Sequence, residues 1–251
     1  MYVNIKSGVV VFIILLFIFG CMSLKTHVVY EKPVQSLYVK EFRTGSENFV
    51  FLLKELDPFI CIQDSCDPVL GPTASGFVFS SDSNSIFVMT AAHFCVVDDE
   101  TSIFFNEKII GFANDTPRDM HILYLDKESD LCMLFGVKNS DESFFNIKLA
   151  DEVMIGEELH TVAAPEGMGG PEKRLIFTGI FGGCDEQICM STISASFGSS
   201  GAGIYNKKGE LLSIVMAIHE NYNHVVLSPS QKQVRNFIEN IDQVVDIYPY
   251  E

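Results

Sequence analysis

Ser194–Val215 reads SASFGSSGAGIYNKKGELLSIV: two adjacent serines among small residues, then two apolar segments around the polar NKKGE. The segments on either side of NKKGE have the spacing of a hairpin. Working outward, the same rhythm fills the chain. Short segments rich in Val, Ile, Phe and Thr (FVFLL, GFVFS, SIFVMT, SIFFNEKIIGF, HILYL, LCMLFGV) alternate with Gly, Asn, Asp and Ser clusters, and after KNSDES the pattern returns in FNIKLA, ELHTVAA, RLIFTGIFGG, ICMSTIS and NHVVLSP. This predicts an all-β chain in two similar halves. One helix is expected near the end, where Ser230 caps SQKQVRNFIENI and Val234, Phe237, Ile238 and Ile241 share a face that packs on the second half. Long amphipathic helices do not alternate with the strands, which disfavours doubly wound and βα-barrel folds.

The chain has 251 residues, 47% of them hydrophobic, enough to bury a core in one large or two small domains. The net charge of −16, with no dense Lys/Arg cluster, excludes nucleic acid as a partner. The N-terminus, MYVNIKSGVVVFIILLFIFGCMSL, has Lys6, an apolar run from Val9 to Phe19, then Gly20 and Cys21. It reads as a secretory signal over residues 1–21. Ile18, Phe19, Gly20 and Cys21 resemble a bacterial lipobox, which implies lipidation of Cys21. A longer reading from Gly8 to Leu24 keeps an uncleaved signal anchor open. Residues 22–47, of mixed charge with Pro33 and no sustained period, suit a tether. The protein is therefore expected outside the cytoplasm, held at a membrane or cell envelope by lipid or anchor, or otherwise secreted.

Setting Cys21 aside leaves six cysteines, and in an exported chain disulfides are the first reading. Cys61 and Cys66 share their spacing with Cys184 and Cys189, so each pair would close a local turn, and Cys95 and Cys132 remain for each other. A structural zinc site built from the two short pairs is the rival, because their spacing falls within known ligand patterns. No metal or organic cofactor is expected.

Three further features carry chemistry. TAAHFC ends a β segment at His93, with small Ala91 and Ala92 allowing a tight turn before an imidazole. In LYLDKESDLCMLFGV, Asp130 sits between a charged turn and an apolar strand. Ser200 is preceded by Gly198 and Ser199 and followed by Gly201, Ala202 and Gly203. A serine that attacks a carbonyl needs exposure without bulky neighbours and backbone N–H groups aimed at the developing oxyanion, which a glycine two residues earlier presents through unusual dihedrals. Each feature alone has a plainer reading: a structural histidine, a turn acid, a Gly/Ser hairpin. Their order, His93, Asp130, Ser200, in a two-part all-β chain differs from the serine-first order of α/β-hydrolases, whose G-x-S-x-G elbow is also broken by Ala202.

With TAAHFC, KESDLCML and GSSGAGIYNKKGELLSIV in that order, the chain from Phe49 to Ile241 resembles the trypsin-like serine peptidases, closer to their compact bacterial, HtrA-like branch. The resemblance implies two six-stranded-type β-barrels of the chymotrypsin fold and a C-terminal α-helix. A peptidase domain at 48–245 would divide into an N-barrel at about 48–140, a C-barrel at about 141–229 and a helix at about 230–243. It implies His93 as general base and acid, Asp130 as its orienting partner, Ser200 as nucleophile, and the N–H groups of Gly198 and Ser200 as oxyanion hole. The specificity pocket would involve Thr192, Ser194, Val215 and Ala217. Its floor has no carboxylate, so a small or medium apolar residue is expected before the cut. His219 and His224 fall near its wall. Ser199 stands where many relatives have Asp or Asn, and Ala202-Gly203 replaces the more usual Gly-Pro. A Cys95–Cys132 bond would brace His93 against Asp130. The implied function is that of a serine endopeptidase acting on protein or peptide substrates; the alternative is an inactive trypsin-like module that binds peptides, for which the unusual GSSGAG speaks.

Overall fold

Hairpins joined by short polar turns dominate the architecture, as the spacing of apolar segments predicts. The computed structural model describes residues 43–58, 69–96, 105–168, 173–219 and 221–247. The segment expected to be a signal, nearly all of the expected tether and the Cys61/Cys66 pair lie outside the described residues. The last five residues of the expected tether form a one-turn helix, α1 (Arg43–Glu47).

Six strands follow: β1 (Phe49–Pro58), β2 (Val69–Ser81), β3 (Ser85–Ala91), β4 (Phe105–Ala113), β5 (Thr116–Asp126) and β6 (Leu131–Val137). They close into an antiparallel barrel in the order β1-β2-β3-β6-β5-β4. The β4–β5 hairpin turns on Asn114 and Asp115, both at positive φ (48° and 63°), the residue types that tolerate the tight turn matching strand twist. A single helical turn, α2 (Ala92–Cys95), interrupts the chain after β3.

The second half is a seven-stranded sheet made of β7 (Glu158–Ala163), β8 (Leu175–Cys184), β9 (Ile188–Ser191), β10 (Gly203–Asn206), β11 (Leu211–Ile214), β12 (Ala217–His219) and β13 (Tyr222–Pro229). Its order is β11-β10-β7-β8-β9-β13-β12, and its ladder does not close as the first barrel's does. The sheet nevertheless curls on itself, because Ser213 Oγ of β11 donates to the Pro229 carbonyl of β13 at 2.6 Å. Leu159, Phe181, Ile193, Ile204, Leu212 and Val226 fill the interior of this half-barrel. The NKKGE turn is the expected hairpin: Asn206 Oδ1 accepts from the N–H groups of Lys208 and Glu210, with Gly209 at φ 75°.

The final helix, α3 (Gln231–Ile247), starts at Ser230 as expected and runs past residue 243. Ser230 N–H donates to Gln233 Oε1 at 2.9 Å, and Gln233 N–H returns to Ser230 Oγ at 3.4 Å, a reciprocal cap. Its apolar face does not pack on the second half alone. Val234, Phe237 and Ile241 share one buried cluster with Phe77, Met89 and Met133 of the barrel and Tyr205, Leu211 and Ile214 of the sheet. The helix thus seals the seam between the two halves. The seam also explains the unbroken apolar runs of β3 and β6. Ile86, Val88, Cys132 and Leu134 point into the barrel, whereas Met89, Ala91, Leu131 and Met133 face the seam, so both faces are buried.

Cys95 is bonded to Cys132 and Cys184 to Cys189. The second bond leaves no thiolate at 184 or 189 for the zinc alternative.

Candidate active site

The antiparallel register of β3 and β6 pairs Ala91 with Leu131, so the residues just past one strand and just before the other meet. Asp130 occupies that junction at φ 54°, and its carbonyl accepts from Ala92 N–H at 3.0 Å. Its carboxylate takes both available donors of His93. Oδ1 accepts from the backbone N–H and Oδ2 meets ring Nδ1, each at 2.8 Å. An ionised carboxylate only accepts, so this contact calls for a proton on Nδ1, and in the neutral imidazole that tautomer leaves Nε2 with its lone pair. The Cys95–Cys132 bond lies two residues beyond each partner. Lys54 Nζ, donating to the Val96 carbonyl at 2.9 Å and paired with Glu107 at 2.7 Å, ties down the end of α2.

The serine loop reaches the same place from the other half. Two glycines make its path possible: a Cβ at Gly201 (φ 83°) would lie 2.1 Å from Thr90 Oγ1, and one at Gly198 (φ 85°) 2.7 Å from the Ala164 carbonyl oxygen. Fully buried Ser75 on β2 docks the loop onto the barrel. Its hydroxyl donates to the Gly198 carbonyl at 2.8 Å and accepts from Ala164 N–H at 2.9 Å, while its N–H donates to the Ser200 carbonyl at 2.9 Å.

The loop separates its two serines. Ser199 is buried, with Oγ accepting from Ser196 N–H at 3.2 Å, so its hydroxyl closes its own loop. Ser200 and His93 instead line one cleft of about 440 Å³. Ser199 N–H donates to the Ser196 carbonyl, whereas the amides of Gly198 and Ser200 have no acceptor among the described residues. Pro72, Phe94 and Phe197 give the cleft apolar walls, and Glu166 is among its lining residues. Among the described residues no hydrogen bond joins His93 to Ser200; such contacts commonly tighten only when substrate arrives. A larger polar recess between the β5–β6 turn and α3 contains none of the three residues.

The four residues expected around a specificity pocket do not line this cleft. Thr192 and Ser194 are exposed, and Thr192 Oγ1 accepts from Ile180 N–H at 3.0 Å. Val215 is buried in the core of the second half, and Ala217 is half-buried on β12. His219 and His224 are exposed and gather around Tyr222 on the β12–β13 hairpin.

Sequence reasoning did not find Ser75 or Glu166. Ser75 in TASGF is one polar residue among small ones, and Glu166 in APEGMGG marks only a turn. Both matter through contacts with a loop 30 or more residues away.

Residues 74–214 match the trypsin-like peptidase domain, a span that includes His93, Asp130 and Ser200. A curated relative, "Serine protease HtrA-like" from Staphylococcus aureus (strain bovine RF122 / ET3-1), is 28% identical over 161 residues, 57% of this chain. The match spans only 20% of that relative's length. Among solved structures, the serine endoprotease from Yersinia pestis superposes with a TM-score of 0.61 at 18% identity, covering 81% of this chain and 66% of that one. The active form of the Rv3671c protease from M. tuberculosis gives 0.60 at 15% identity, covering 83% and 86%. An inactive form of the same protease gives 0.58 at 14%, covering 84% and 94%. These structures share the fold, and because the domain match covers more than half of this chain, the chain belongs to the trypsin-like peptidase family.

Proposed function

We propose that the protein is a serine endopeptidase in which His93, Asp130 and Ser200 form the catalytic triad. The observation that carries this reading is the His93 imidazole, fixed at Nδ1 by Asp130 and facing the cleft that also holds Ser200. Ser200 Oγ attacks the carbonyl carbon of the scissile peptide while its proton passes to His93 Nε2. The oxyanion is held by the N–H groups of Gly198 and Ser200, each donor contributing about 3 kcal/mol of transition-state stabilisation. His93 then protonates the leaving amine as the C–N bond breaks. Water, deprotonated by His93, attacks the acyl-enzyme and releases the acid, restoring Ser200. The buried hydrogen bond of Ser199 supports Ser200, rather than its neighbour, as the nucleophile.

Substrates are proteins or peptides, with a small or medium apolar residue before the cut. A purified preparation should hydrolyse such peptides, and Ser200→Ala and His93→Ala should abolish the activity. Equal turnover by Ser200→Ala would sink the assignment.

The same proposal places the enzyme outside the cytoplasm, tethered through Cys21 or an N-terminal anchor. The apolar run from Val9 to Phe19 supports it, as do the two disulfides, which persist in oxidising compartments. Intact mass of the mature protein decides between a lipidated Cys21, a retained N-terminus and plain secretion.

A further inference from the structure

We propose that Glu166 is a positioning residue that holds the Phe197–Gly198 peptide with its N–H turned toward the oxyanion; the inference rests on the hydrolytic reading of Ser200 given above. Glu166 sits at φ 53° in the short 3-10 turn Pro165–Gly167, a left-handed conformation that a residue other than glycine keeps only when its surroundings impose it. Two hydrogen bonds run from it to successive residues of the nucleophile loop. Its N–H donates to the Phe197 carbonyl at 2.5 Å, and its Oε1 accepts from Ser196 Oγ at 2.5 Å.

A trans peptide is planar, so its C=O and N–H point in opposite directions. Holding the Phe197 carbonyl against Glu166 therefore directs the Gly198 N–H away from Glu166. Were this peptide to turn over, a carbonyl oxygen would stand where the N–H should meet the oxyanion, and an attractive dipole would become a repulsive one. The loop does not itself prevent the turnover. Gly198 rotates freely about φ, and Ser75 holds only the carbonyl on its far side, which such a rotation leaves in place. Among the described residues, the bond from Glu166 is the one that fixes the Phe197 carbonyl.

Backbone and side chain of Glu166 have separate tasks. The N–H holds the peptide, and the carboxylate, accepting from Ser196, keeps residue 166 in the conformation that aims the N–H. Removing the carboxylate would let the turn relax to negative φ and redirect the N–H, although the N–H itself remains.

The test compares wild type with E166A, S196A, E166Q and E166A/S196A in steady-state hydrolysis of one peptide, together with crystal structures of wild type and E166A. E166A and S196A should each lower kcat about 100-fold, the order of one lost oxyanion donor, with KM within about threefold of wild type. The double variant should be no worse than either single one, because both break the same link. E166Q keeps an acceptor for Ser196 and should recover at least about a third of wild-type kcat, since hydrogen bonding rather than charge is required. In E166A the Phe197 carbonyl should be turned into the cleft. Near-wild-type kcat, a loss carried in KM, or an unturned peptide in E166A overturns the proposal. If wild type hydrolyses nothing, the endopeptidase reading falls separately, and the peptide orientation alone decides: turned in E166A supports the role of Glu166, unturned refutes it.

Discussion

Asp130 accepts two hydrogen bonds from His93, one from the backbone N–H and one from ring Nδ1, each 2.8 Å long. The pair fixes both the place and the rotation of the imidazole. An amide at position 130 would offer N–H where the ring needs an acceptor, favouring the tautomer with its proton on Nε2. Asp130→Asn should therefore lower kcat by roughly 10⁴-fold with little change in KM. A loss under about tenfold would show that Asp130 does not orient the base.

Ser75 joins the barrel to the nucleophile loop through one hydroxyl. Ser75→Ala leaves the Gly198 carbonyl and the Ala164 N–H without that partner in a buried place. The expected cost is about 2–4 kcal/mol in urea unfolding, together with reduced turnover. Unchanged stability would mean that water replaces the hydroxyl at no cost.

The Cys95–Cys132 bond closes a separation of 37 residues, for which loop-closure entropy gives about 4 kcal/mol. Replacing both by Ala should lower the unfolding free energy by that order and turnover with it, since His93 and Asp130 each stand two residues before a bonded cysteine. Replacing Cys184 and Cys189, separated by 5 residues, should cost only about 2 kcal/mol and leave turnover alone. Equal effects of the two double variants on turnover would remove the bracing role of the first bond.

Burial pushes the His160 imidazole from its ordinary 6.5 down to about 4. The unfolded chain thus takes up a proton near pH 6.5 that the folded chain refuses. The contribution to stability is complete above that pH, declines as pH falls, and levels off below about 4, a loss of about 3 kcal/mol. Between pH 7 and 4 the unfolding free energy of wild type should fall by about 3 kcal/mol more than that of His160→Gln. Parallel pH profiles would contradict it.

His93 and Ser200 were legible because their neighbours, Ala91-Ala92 and Gly198 to Gly203, are small for local reasons of backbone approach. Asp130 was legible only through its order in the chain. An acid before a strand is ordinarily a turn residue, and what makes this one different is the pairing of Ala91 with Leu131. Ser75 and Glu166 were not legible, since their partners at Gly198 and Ser196 come from segments far away in sequence. The helix face was readable but not its seat. Apolar runs such as FVMT and LCML announce strands buried on both sides, without saying that α3 supplies part of the cover. The second half is a sheet with β11 and β12 at its two ends, and which strands end up unpaired there depends on the strand order, which no local segment shows.

The central claim, that His93 and Asp130 activate Ser200, is tested most directly by labelling the folded, disulfide-intact protein with a fluorophosphonate and locating the adduct by mass spectrometry. The account requires a single adduct on Ser200, lost in Ser200→Ala and strongly slowed in His93→Ala. An adduct on Ser199, or labelling as fast without His93 as with it, would contradict it.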